Sequence, residues 1–210
     1  MFLPAFFLLQ ATFHSPRVIE SSGVAVSHAY PGVLWTHNDS GDGPYLYATD
    51  LRGTDRGALL VPGAQAIDWE DIGLGPCPVS FLPKAGSCLY LADTGDNLEF
   101  RPFVTVYAIP EPPPPERAGD TLGTTRAPAL VRLRYPDGPH DVEALYVSPR
   151  DTALYLVSKG ARHRGGHPTG RSPRCVAHLL GDLPVLSGSW WPPVARSRAR
   201  LQHRGARDRR

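Results

Sequence analysis

The chain has 210 residues, enough for one domain with a sizeable core. Its 23 Pro and 21 Gly are near a fifth of all residues, below the roughly 25–30% that marks a disordered polymer, and they suit many short strands joined by tight turns. The net charge of +2 hides a split: residues 1–160 hold 11 Lys+Arg against 18 Asp+Glu, whereas residues 161–210 hold 11 Arg, no Lys and 2 Asp. An asymmetry of this kind marks segments with different jobs or histories. No apolar run reaches the roughly 18 residues of a membrane-spanning helix, so no transmembrane segment is expected. No Cys and His pair has zinc spacing, and neither a nucleophile-elbow Ser nor a Gly-rich phosphate loop is present.

Residues 1–19 read as an export segment. Phe2–Leu9, FLPAFFLL, resembles the apolar region of a secretory signal, with Ala11 as the cleavage residue. Nothing before Arg17 is positively charged, so the usual basic flank is missing. A first core strand and a mis-assigned start are the competing readings. Export predicts a periplasmic or secreted protein.

Strands are then expected at Ser22–Ser27, Val33–His37, Tyr45–Asp50 and Gly57–Val61, with Asn38-Asp39-Ser40-Gly41-Asp42-Gly43 and Leu51-Arg52-Gly53 as turns. A second set is expected at Ile67–Gly73, Cys88–Ala92, Val104–Ile109 and Ala129–Arg134. The connection EPPPPERAGDTLGTTRAP before its last strand favours a stiff, extended loop without regular structure. A third set gives Val142–Val147 and Ala153–Val157, after which no further strand is expected. Cys77 and Cys88 flank a Pro-containing loop, where a disulfide and two free thiols are equal alternatives; Cys175 stands alone.

The three sets are echoes of one unit. Asp137–Ser148, DGPHDVEALYVS, repeats Asp68–Gly75, DWEDIGLG, and Glu20–Ser27, ESSGVAVS. Glu20, Asp68 and Asp141 take the first place; Ser22, Glu70 and Glu143 take the third. A second echo runs through LWTHNDSG at Leu34–Gly41, LYLADTG at Leu89–Gly95 and LYLVSKG at Leu154–Gly160, and sets Asp39 beside Asp93 and Ser158. Short strands recurring in this way predict an all-β fold: a partial β-propeller of about two and a half four-stranded blades over residues 20–160. A sandwich would not require the acid-led segment to recur at the same place in each unit. Residues 161–210 are expected as an Arg-rich tail, out of frame or disordered and poorly packed.

Four motifs in order, WTHNDSG at Trp35–Gly41, DWEDI at Asp68–Ile72, DTGDN at Asp93–Asn97 and YPDGPHDVEAL at Tyr135–Leu145, make the chain resemble a family of bacterial exported, phytase-like six-bladed β-propellers. The resemblance implies acidic residues near a central channel and supplies no established reaction. It also implies about six blades, more than the sequence supplies. Three readings follow: a frameshifted or truncated, inactive product; a short variant that self-associates through open blade edges; and a basic tail for nucleic acid. The last lacks interleaved aromatics, so nucleic acid is not favoured as a partner.

The candidate metal ligands are Asp39, Asp68, Glu70, Asp71, Asp93, Asp96, Asp141 and Glu143. Period-two alternation puts Asp68 and Glu70 on one face, and likewise Asp141 and Glu143. Carboxylates converging at a channel mouth repel unless a cation or proton relieves them, and Ca²⁺, with six to eight oxygen ligands, suits such a rim. The competing reading is that these acids cap turns or bind backbone amides; Asx-turn work accounts for Asp39, Asp93 and Asp96. His140, beside Asp141, is the candidate general base or substrate ligand, against an exposed or structural histidine. Trp35 and Trp69 are expected as packing aromatics. Two functions remain: an exported propeller binding calcium and a small-molecule or protein ligand, or a calcium-dependent phytase-like or esterase-like hydrolase.

Overall fold

The computed structural model describes residues 12–78, 86–115, 122–150 and 153–159, and the backbone of 175–179. Short apolar runs between Gly- and Asp-rich turns fold as strands, and the described residues contain no helix. Strands β1 (Ser21–Val26), β2 (Val33–Asn38), β3 (Tyr45–Asp50) and β4 (Asp55–Leu60) form a first antiparallel meander. Its β3–β4 turn is closed as the sequence predicts: the Asp50 carboxylate accepts the Arg52 and Thr54 amides at 2.8 and 2.9 Å. Strands β5 (Trp69–Pro76), β6 (Ser87–Asp93) and β7 (Val104–Pro110) begin a second meander. The Pro-rich connection then lays β8 (Leu122–Thr124) parallel to β4, as the fifth strand of the first sheet. The chain returns as β9 (Ala129–Leu133) to complete the second sheet, in the order β5-β6-β7-β9. Strands β10 (Val142–Val147), β11 (Ala153–Ser158) and β12 (Cys175–Leu179) make the third.

Two of these strands depart from the sequence reading. Leu122–Thr124 lies in a connection expected to be irregular, and Cys175–Leu179 lies in the tail after the repeat is lost. Both pair with strands, β4 and β11, that would otherwise leave an edge with a row of unpaired N–H and C=O groups. An extended segment needs no repeat periodicity to satisfy such an edge, so periodicity could not find them. Residues 1–11 of the expected export segment, and residues 161–174 and 180–210 of the tail, lie outside the described residues.

β5 touches both β1 and β10, so the first strands of the three sheets are neighbours. Trp35, Leu46, Trp69, Ile72, Leu91 and Ile109 pack between the first and second sheets, and both tryptophans are fully buried. Tyr90, Val106, Val131, Leu145 and Leu156 pack between the second and third. The second sheet is therefore covered on both faces, which is why β7, VTVYAIP, does not alternate and is apolar at every position but Thr105. Each fully buried large side chain contributes roughly 1.5–3 kcal/mol. Close approach of β5 and β10 needs Gly73, since a Cβ there would lie 2.9 Å from Val147 Cγ2.

Cys77 and Cys88 are disulfide-bonded, with Cα atoms 4.9 Å apart. Glu111, just after β7, ties the first two sheets together. Its carboxylate accepts the Ser27 hydroxyl, the Ala29 amide at 3.2 Å, Trp35 Nε1 at 3.3 Å and the Ser87 hydroxyl at 2.5 Å.

Candidate metal centre

Each first strand breaks register at the same point. Ser21 and Gly23 pair with Asn38 and His37; Trp69 and Asp71 pair with Asp93 and Ala92; Val142 and Ala144 pair with Ser158 and Val157. One residue per strand is left over, a β-bulge, and those residues are Ser22, Glu70 and Glu143. They are the third place of the sequence unit. A bulge bends the strand and re-aims the extra side chain, so simple alternation does not position these acids. Asp68 precedes β5, and the bulge after Trp69 is what lets Glu70 meet it.

The same register corrects the second echo by one residue. Asn38, not Asp39, is the counterpart of Asp93 and Ser158, which makes Asp39, Thr94 and Lys159 the next aligned set. Asn38 and Asp93 act alike. Asn38 Oδ1 accepts the Ile19 and Glu20 amides at 3.0 and 3.1 Å, and Asp93 Oδ1 accepts the Asp68 amide at 3.1 Å. The carbonyls of first-place Glu20 and Asp141 accept the Asp39 and Lys159 amides at 2.9 and 2.8 Å, and that of Asp68 accepts the Gly95 amide at 3.2 Å.

Two carboxylate clusters result. Ligand oxygens of Asp39, Asp68 and Glu70 lie within 4.8 Å of one another, as do those of Glu70, Asp141 and Glu143. Glu70 belongs to both and is 5% exposed. Lys159 Nζ lies 3.2 Å from Asp141 Oδ2 and pairs with Glu143. Gly95 makes room for this packing, because a Cβ there would run into the Asp68 and Glu70 carboxylates.

The clustering raises proton affinities. Burial, then the charges of Glu143, Asp39, Asp68 and Asp141, push Glu70 up to about 8. Burial, then Asp39 and Asp141, raise Asp68. Burial works against the Lys159 charge, but hydrogen bonds to Glu143 and Asp141 outweigh it and raise its pKa. Such a set is all oxygen and rich in negative charge. Its oxygens, within 4.8 Å of one another in each cluster, could hold a metal ion.

The other candidate ligands are engaged elsewhere. Asp71 bridges β5 to β10, accepting its neighbour Ile72 N at 2.8 Å and Leu145 N at 2.7 Å. Asp93 forms an ion pair with Arg101 at 3.0 Å. Asp96 caps its own turn, accepting the Phe100 and Arg101 amides at 3.0 and 2.7 Å, while its own amide donates to Asp141 Oδ1 at 3.0 Å. His140 Nε2 lies 2.8 Å from Asp137 Oδ1, and its ring meets the Tyr135 ring edge-on at 5.2 Å. Sequence reasoning missed Lys159 and Gly95. The one-residue offset hid Lys159, whose alignment with Asp39 was the available signal.

No family model and no curated protein matches the chain.

Proposed function

We propose that the three sheets are consecutive blades of an exported, phytase-like β-propeller, and that its acidic rim binds calcium through Glu70. The observation that carries this is the pair of carboxylate clusters sharing Glu70. Mutual repulsion among Asp39, Asp68, Glu70, Asp141 and Glu143 is relieved in part by Lys159 and by a proton on Glu70; a divalent cation relieves it more fully. The neighbouring first strands β1, β5 and β10 support the blade reading. The Cys77–Cys88 disulfide supports export, because such bonds persist in oxidising compartments.

Terbium tests the site. Trp69 lies between Asp68 and Glu70 in sequence, so Tb³⁺ held by the rim should show tryptophan-sensitised emission that Ca²⁺ quenches by displacement. Absence of that emission, or equal emission from Glu70→Gln, overturns the reading.

One observation favours a second reading, calcium-dependent hydrolysis of a phosphorylated or ester substrate. The Lys159 ammonium beside the clusters is about one-third exposed. With a bound cation it would offer two positive groups to a phosphate oxygen. Calcium-dependent turnover of phosphomonoesters, lost in Lys159→Met, distinguishes this from binding alone.

A further inference from the structure

The two carboxylate clusters share Glu70 but differ in what neutralises them. Lys159 is fixed beside Asp141 and Glu143 at both ends. Its amide donates to Asp141 O at 2.8 Å, and its ammonium lies 3.2 Å from Asp141 Oδ2 and pairs with Glu143. Among the described residues, no ion pair reaches Asp39, Asp68 or Glu70. Arg101, whose charge acts on Asp68, is committed to Asp93 and to the Gly95 carbonyl at 2.7 Å.

Glu70 itself is left without a partner. It is 5% exposed, and among the described residues only its backbone carbonyl accepts a hydrogen bond, from Ser22 Oγ at 3.0 Å. Nothing donates to its carboxylate, which the bulge sets between Asp39 and Asp68 on one side and Asp141 and Glu143 on the other. Asp68 is alike in having no donor to its carboxylate, and Asp39 Oδ1 accepts only the adjacent Ser40 amide, at 2.7 Å. A buried carboxylate without donors needs a cation or a proton.

The difference between the clusters lies at one aligned position. Asp39 follows Asn38 on the first sheet, and Lys159 follows Ser158 on the third. The first sheet supplies a carboxylate there and the third an ammonium. A divalent ion among Glu70, Asp141 and Glu143 would be set against the Lys159 ammonium, like charge against like. An ion among Asp39, Asp68 and Glu70 meets carboxylates that no side-chain cation has claimed.

We propose that the rim holds a single divalent cation, seated among Asp39, Asp68 and Glu70, because the Lys159 ammonium takes the place of a second ion beside Asp141 and Glu143. This rests on the reading of the rim as a calcium site. Removing the ammonium without replacing its charge frees the second set of carboxylates, and Glu70 then joins a paired-ion site of the two-metal kind.

Equilibrium dialysis against radiolabelled calcium, with the strand signal in circular dichroism as a check on folding, counts the ions. The parent chain should take up about one ion per chain, Asp39→Asn should bind it at least about ten-fold more weakly, and Glu143→Gln should keep it. Lys159→Met should take up about two, and Lys159→Met with Glu143→Gln should return to about one. Lys159→Arg, which keeps the charge, should stay at about one. If Lys159→Met does not fold, Lys159→Gln reads the same effect. A parent chain that takes up two ions, an ion that survives Asp39→Asn but not Glu143→Gln, or a Lys159 variant without the charge that stays at one overturns this assignment and leaves the rim a calcium site. A parent chain that takes up none overturns both.

Discussion

Glu70 and Glu143 occupy the same bulge on neighbouring first strands, and with Asp141 their carboxylates meet in one cluster. Neither side chain would stand there in regular alternation. The bulge, repeated in each sheet, places the third-place residues Glu70 and Glu143 in that cluster. At the aligned position β1 carries Ser22, whose hydroxyl donates to Glu70 O at 3.0 Å and joins β1 to β5.

Without divalent cations, stability should fall as pH rises. Glu70 is raised from 4.5 to about 8 in the folded chain, so the folded state keeps a proton that the unfolded state releases between those values. The stabilisation is full below about pH 4.5 and is lost as pH climbs to about 8. The raised Asp68 acts in the same direction. Urea melts in chelator should show this decline. Glu70→Gln should flatten it and add about 1–3 kcal/mol at pH 9, solvent screening holding the gain below the full linkage value.

Lys159 acts as an internal cation beside Asp141 and Glu143. Lys159→Met should tighten calcium binding several-fold while lowering the melting temperature in chelator. Calcium titrations and thermal melts on the same variant read the two effects. A variant that loses both stability and affinity contradicts the assignment.

Gly95→Ala should disturb the rim from behind, because its methyl group would meet the Asp68 and Glu70 carboxylates. The expected cost is about 1–3 kcal/mol, as for overpacking elsewhere, with loss of most calcium-induced stabilisation. Melting curves with and without calcium separate the two.

Glu111→Ala should destabilise far from the rim. It leaves Trp35 Nε1, the Ala29 amide and the Ser27 and Ser87 hydroxyls without their shared acceptor. The expected loss is about 1–3 kcal/mol in urea unfolding, with calcium affinity unchanged.

Much of the fold was legible because the repeat is written in strand-length apolar runs and Asp/Gly turns, and β1 to β7, β9, β10 and β11 fall on or within a few residues of the expected segments. β8 and β12 were not legible, since each is defined by the strand edge it meets. The acids Asp68, Glu70, Asp141 and Glu143 were found by their recurrence, but their convergence depends on the bulges, which composition does not reveal. Asp39 was found although its alignment was one residue out. Asp71, Asp93 and Asp96 carry the same chemistry in the same motifs; backbone amides engage Asp71 and Asp96, as the competing turn-capping and amide-binding reading of the sequence allowed, while the Arg101 partner of Asp93 was not legible.

The claim that Glu70 is the shared ligand of a cation rim is tested most directly by calorimetric titration of calcium at pH 7, in buffers of different ionisation enthalpy. A proton held on Glu70 must leave when the ion binds, so the parent chain should bind calcium and release on the order of one proton per ion. Glu70→Gln should bind weakly and release none. Undetectable binding to the parent chain, or binding that survives unchanged in Glu70→Gln with the same proton release, would contradict the account.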